Sequence, residues 1–218
     1  MSILNVFGNP PGLLVFVDSR TDHIDGARSR ASKLFPLVGQ HACIAGRGDL
    51  WFISSVVLNA NMCAAGDFSS LLDELPNIIE LGYAEFQLQC HASASPNKAR
   101  IQTTQEILLT GWDRGRVLGR YFKKTDQHSS LEQQDLVAAN GAVTTMIAPY
   151  DAALGRHLPV RNIDDASSLA VAQTRLVNAR FPDTGTGGQL IVADVQCGSI
   201  SVRVVRDLPD DTEAANGR

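Results

Sequence analysis

Ser2 stands directly after the initiator methionine, a position where a small hydroxyl residue favours methionine removal. Once freed, Ser2 would offer a hydroxyl nucleophile and an α-amino base in one residue, the amine titrating at roughly 7.7 to 8.0 when unperturbed. The stretch that follows brings a carboxylate to it. Two short apolar runs, residues 3–7 and 13–17, flank Gly8-Asn9-Pro10-Pro11-Gly12, and that turn chemistry between β-prone runs reads as a hairpin. Antiparallel pairing sets the start of one strand beside the end of the other, so Ser2 and Asp18 become neighbours. Taken alone, Ser2 also reads as an ordinary second residue. Lys33, just before the next apolar run, reads as a surface lysine at a strand end. In Ala45-Gly46-Arg47-Gly48-Asp49 the Gly46 N–H either meets an oxyanion or belongs to a plain strand-to-helix turn.

The elements that must hold these residues fit one large domain. The chain has 218 residues, 44% of them hydrophobic and 19% charged, a globular composition long enough for a sizeable core. A net charge of -4 argues against partners such as nucleic acid or an anionic membrane. The basic group Arg114, Arg116, Arg120, Lys123 and Lys124 reads as a solvated strand face. No apolar run reaches membrane-spanning length and no charged-apolar-small leader is present, which predicts a cytoplasmic protein. Cys43, Cys63, Cys90 and Cys197 lack CxxC spacing and read mostly as buried apolar residues. The histidines form no HxxxH or HxH pair, so neither a metal nor a cofactor is expected.

Along the chain, residues 19–32 read as a loop or two short irregular strands. A second hairpin follows over 34–38 and 42–45. Asp49 then caps a helix over 50–63 whose predicted face carries Leu50, Ile53, Val57 and Met62, widened by Val56 and Leu58. Asp67 caps the next helix, which runs to Leu81 with a kink or break at Pro76. Residues 86–90 read as a strand, and 91–105 as a loop or weak edge segment. Residues 106–112 and 117–122 form a hairpin around Asp113-Arg114-Gly115-Arg116. Residues 123–134 are loop-like; 137–146 are ambiguous, with Asn140-Gly141 as a turn. Asn162 opens a helix ending near Arg180, and a last hairpin spans 189–195 and 199–205. Hairpins, paired helices, further hairpins and a helix predict an α+β fold: a four-layer α-β-β-α sandwich of two antiparallel sheets over residues 1–206, with 207–218 as a disordered tail.

Several stretches together resemble the proteasome β-subunit family of the N-terminal-nucleophile (Ntn) hydrolases, in its bacterial proteasome-related branch. They are LLVFVDSR after Gly12, SKLF at 32–35, IAGRGD at 44–49, LLTGWDRGRVLGRYF, and PDTGTGG at 182–188. Without a gap, Ser2 falls on the position of that family's N-terminal threonine. The resemblance implies Ser2 as nucleophile, Lys33 lowering the hydroxyl's effective pKa, Asp18 orienting Lys33, the Gly46 N–H as oxyanion donor, and Asp183 and Thr186 supporting the amine. Serine for threonine keeps the hydroxyl but drops the methyl that fixes the rotamer. The family's Gly-Ser-Gly-Ser stretch matches only Ala139-Asn140-Gly141-Ala142, and the Lys33-to-Gly46 interval is one residue short. The implied function is a self-compartmentalising peptidase acting on peptides or unfolded proteins as a homo-oligomeric ring, with an ATP-dependent unfolding partner. A catalytically silent ring-forming relative and a small-amide Ntn hydrolase are the alternatives.

Overall fold

The computed structural model describes residues 2–9, 12–22, 28–92, 103–126, 128–138, 140–181 and 185–209. The first hairpin is β1 (Leu4–Asn9) and β2 (Gly12–Asp18), and a short two-stranded pair follows as β3 (Arg20–Asp22) and β4 (Arg28–Arg30). The second hairpin is β5 (Leu34–Leu37) and β6 (Ala42–Arg47). Helices α1 (Leu50–Met62) and α2 (Phe68–Ala92) come next, then β7 (Gln105–Asp113), β8 (Arg116–Lys124), β9 (Glu132–Asp135) and β10 (Met146–Ala148). Helix α3 (Ile163–Arg180) and the closing hairpin β11 (Gln189–Gln196) and β12 (Ser199–Asp207) complete the fold.

The strands form two five-stranded antiparallel sheets, ordered β10-β1-β2-β11-β12 and β5-β6-β7-β8-β9. Leu4, Val6, Leu13, Val15, Val17 and Ile191 of the first sheet interleave with Leu34, Cys43, Ala45 and Leu108 of the second. On the outer face of the second sheet, α1 and α2 bury Phe52, Ile53, Val56, Phe68, Leu71 and Tyr83. On the outer face of the first, α3 buries Ala166, Leu169 and Ala170 against Ile3, Phe7, Phe16 and Val192. This is the expected α-β-β-α sandwich. Each helix starts where the sequence placed its cap: the Asp49 carboxylate accepts from the Trp51 and Phe52 N–H groups at 2.8 and 3.3 Å, and Asn162 from the Asp165 N–H at 2.9 Å.

Several expectations are corrected. Residues 86–90 are not a strand but the last turns of α2, which runs 25 residues straight through Pro76. The stripe Leu71, Leu75, Ile78, Ile79, Tyr83 and Phe86 keeps one face on the sheet, and its burial, worth about 1.5–3 kcal/mol per large side chain, offsets the proline. Residues 132–135 are an edge strand, entirely exposed and polar because it has a neighbour on one side only. It pairs with the basic strand beside it through Arg120–Asp135 at 2.6 Å and Lys123–Glu132 at 3.2 Å. Lys124 leaves that solvated face altogether, buried at 4% exposure on Glu80. The buried stripe of α1 is Phe52, Ile53, Val56 and Ala60, while Met62 lies exposed. Of the cysteines only Cys43 is buried; Cys63 and Cys90 are half-buried and Cys197 is exposed. The domain also outlasts residue 206: Asp207 ends β12, and buried Leu208 donates its N–H to the Gly188 carbonyl at 2.8 Å. The expected tail from 210 onward lies outside the described residues. Among the described residues no helix is long and apolar enough to cross a membrane.

Candidate active site

The register of the first hairpin, Leu4 opposite Val17, leaves Ser2 and Ile3 beside the end of β2. There the Ile3 N–H donates to Asp18 Oδ1 at 2.8 Å, so the carboxylate takes over where the ladder stops. Lys33 arrives from the other sheet, directly before β5. Its Nζ donates to Ser2 Oγ at 2.9 Å, to Asp18 Oδ2 at 3.2 Å and to the Arg20 carbonyl at 2.5 Å. Lys33 Nζ thus has three oxygen partners, as many as an ammonium has N–H groups. All three side chains are buried, Ser2 at 5%, Asp18 at 0% and Lys33 at 2% exposure. A fixed cation donating to Oγ favours the alkoxide form, and exclusion of water strengthens that effect.

The other expected residues fare differently. The Gly46 N–H is not available to an oxyanion, because it donates to the Lys33 carbonyl at 2.8 Å as the last rung between β6 and β5. The glycine has a packing reason instead. A Cβ there would lie 2.6 Å from Ile53, so its absence lets α1 settle on the sheet. Thr186 is fully buried, and its Oγ1 has no hydrogen-bond partner among the described residues. Its backbone is gripped from both sides by Asn178 of α3, whose Oδ1 accepts from the Thr186 N–H at 2.7 Å and whose Nδ2 donates to its carbonyl at 3.0 Å. Asp183 lies outside the described residues.

The matched Gly-Ser-Gly-Ser position is also corrected. The Asn140-Gly141 turn is real, with Gly141 at φ +82°, but Val143 beyond it packs on Gly8, at the far end of β1 from Ser2. The segment that runs toward Ser2 is the end of β10, with Ala148 opposite Leu4. Buried Asn5 and Gln173 secure it: Gln173 Nε2 donates to the Pro149 carbonyl at 3.0 Å and to Asn5 Oδ1 at 3.1 Å.

Two residues went unread in the sequence. Arg47 Nε donates to the Ser2 carbonyl at 2.8 Å, and its Nη1 meets Glu106 Oε1 at 2.6 Å. The only trace of this is that Arg47 and Glu106 face each other across the β6–β7 ladder, which becomes visible once the register is known.

Set against solved structures, the chain is similar over nearly its full length to several Anbu structures. The Gly-1 mutant of Anbu from Hyphomicrobium sp. strain MC1 aligns with 99% of this chain and 91% of its own, at 13% identity and a TM-score of 0.60. Anbu from the same strain gives 98%, 91%, 12% and 0.57. Anbu, an ancestral beta-subunit, from Yersinia bercovieri gives 95%, 89%, 14% and 0.58. The fold is proteasome-like. At this identity the likeness is one of fold. No family model and no curated protein matches the chain.

Proposed function

We propose that the chain is a proteasome-like, self-compartmentalising peptidase whose nucleophile is the Ser2 hydroxyl, active after removal of Met1. The observation that carries the reading is Lys33 Nζ, buried and shared between Ser2 Oγ and Asp18. In this scheme the freed α-amine of Ser2 takes the hydroxyl proton, and Oγ attacks the scissile carbonyl. The amine then returns the proton to the leaving nitrogen, and water hydrolyses the resulting ester. Lys33 stabilises developing negative charge on Oγ; Asp18 orients Lys33; Thr186 and Asp183 support the amine. Since the Gly46 N–H is engaged, the oxyanion donor is a different backbone N–H. Substrates are peptides or unfolded proteins delivered by an ATP-dependent unfolding partner, and the chains assemble into a ring. Supporting assembly, Trp51, Leu58 and Met62 of α1 and Leu81 and Leu88 of α2 remain exposed on the outer layer.

The test is intact mass together with labelling by a serine- and threonine-directed electrophile. Protein made in a bacterial cytosol should lack Met1 and take up one label at Ser2; active material that retains or acetylates its first residue overturns the mechanism. One observation favours a second reading, a silent ring-forming relative: the engaged Gly46 N–H. That reading expects the ring without the label. A monomer that hydrolyses only small amides would instead mark an Ntn amidohydrolase.

A further inference from the structure

We infer that Arg47 is a positioning residue for Ser2: it fixes the Ser2–Ile3 peptide and keeps the α-amine in its unprotonated, base-competent form. This goes beyond the peptidase reading of the same site and rests on it. The peptide unit between Ser2 and Ile3 is held at both ends, its carbonyl by Arg47 Nε at 2.8 Å and its N–H by Asp18 Oδ1 at 2.8 Å. With that plane fixed, the amine moves only by rotation about the Ser2 Cα–C bond, which carries Cβ with it, so holding Oγ on Lys33 restrains the amine as well. Arg47 is itself held. Its side chain is 13% exposed and Glu106, at 6%, anchors the guanidinium from the adjacent strand.

Charge gives the arrangement its chemical consequence. A cation close to an amine disfavours the protonated form. Arg47 reaches the Ser2 main chain directly, whereas Glu106 sits behind it on Nη1, so the nearer charge is the positive one. Among the described residues the other groups at the site are Asp18 from β2 and Lys33 before β5, which pair with each other, and the Arg20 side chain, directed at the Thr186 carbonyl; Asp183 lies outside them. Tyr121 of β8 stands beside Glu106; burial, and then Glu106 itself, push its hydroxyl well up, so it stays neutral.

The experiment uses the full chain released from a cleavable fusion so that Ser2 is the first residue. The midpoint of the α-amine is read from competitive acetylation by trace acetic anhydride across pH, with mass spectrometry of the N-terminal peptide. Electrophile labelling of Ser2 runs alongside. Arg47→Met should raise the midpoint by about half a unit or more, and Glu106→Gln should lower it. Arg47→Lys, which keeps the charge but not the geometry, should leave the midpoint near wild type while slowing labelling about tenfold. If Arg47→Met does not unfold cooperatively, Glu106→Gln carries the test. A midpoint unmoved in the folded charge-removing variants overturns the proposal. Shifted midpoints in a wild type that never labels uphold Arg47's influence and overturn the peptidase reading instead.

Discussion

Asp18 accepts from two buried donors at once, the Ile3 N–H and the Lys33 ammonium, with none of its surface in water. Asp18→Ala strands both, and should cost about 3–5 kcal/mol in urea unfolding as well as abolishing labelling. Asp18→Asn, which keeps an acceptor for Ile3, should cost less. Lys33→Ala should end labelling while unfolding stays cooperative. Cys43 gives a pH-dependent counterpart. Burial between the sheets pushes its thiol up to about 12, only partly offset by the Phe35 backbone hydrogen bond. The unfolded thiol releases its proton near 9.0, so between there and about 12 the native state binds more protons than the unfolded one. Stability should therefore fall with rising pH in that window, by about 1.4 kcal/mol per unit, and Cys43→Ser or Cys43→Ala should remove that slope. At this scale the sequence shows Ser2 and Asp18 as neighbours because a hairpin is a local object. Arg47 stays hidden, since it acts across elements distant in the chain and leaves no spacing to read.

Elements were legible where their ends are chemically marked. The hairpins show through Gly, Asn and Pro at their turns, and α1 and α3 through Asp49 and Asn162 at their caps. Ambiguity entered where marks conflict with packing: Pro76 inside α2 suggested an ending that the buried stripe overrides, and the polar edge strand β9 carries no apolar alternation. Gly46 was read for its backbone N–H when its missing side chain is what the fold uses. Gly46→Ala should accordingly destabilise by about 1–3 kcal/mol through collision with Ile53. In an Ile53→Ala background that penalty should shrink markedly, measured as a double-mutant cycle. If Gly46→Ala instead leaves stability untouched and suppresses labelling, the oxyanion role returns.

For the molecule as a whole, the outer helical layer predicts association. Leu58 at 60%, Met62 at 75%, Leu81 at 68% and Leu88 at 69% exposure are more apolar surface than a solvated layer needs. Light scattering at micromolar concentration should give a mass several times the 23.4 kDa chain, and Leu58→Glu with Met62→Lys should reduce it. A wild-type monomer would remove both ring-forming readings. The layered architecture was legible from the order of hairpins and helices; which faces stay uncovered was not, because α1 buries Phe52 and Ala60 beside the expected Ile53 and Val56 and leaves Leu58 and Met62 exposed. The meeting of both sheets at Ser2 has a consequence in time. Its neighbours lie at positions 18, 33 and 47, the arginine's brace at 106, and the Thr186 segment near the far end of the chain. A ribosome adding about 5–20 residues per second delivers that last segment roughly 10–40 s after Ser2 has emerged. If Ser2 is the nucleophile as proposed, it is among the first residues made and the last to be armed, because its site is complete only when the final hairpin has joined the first in one sheet.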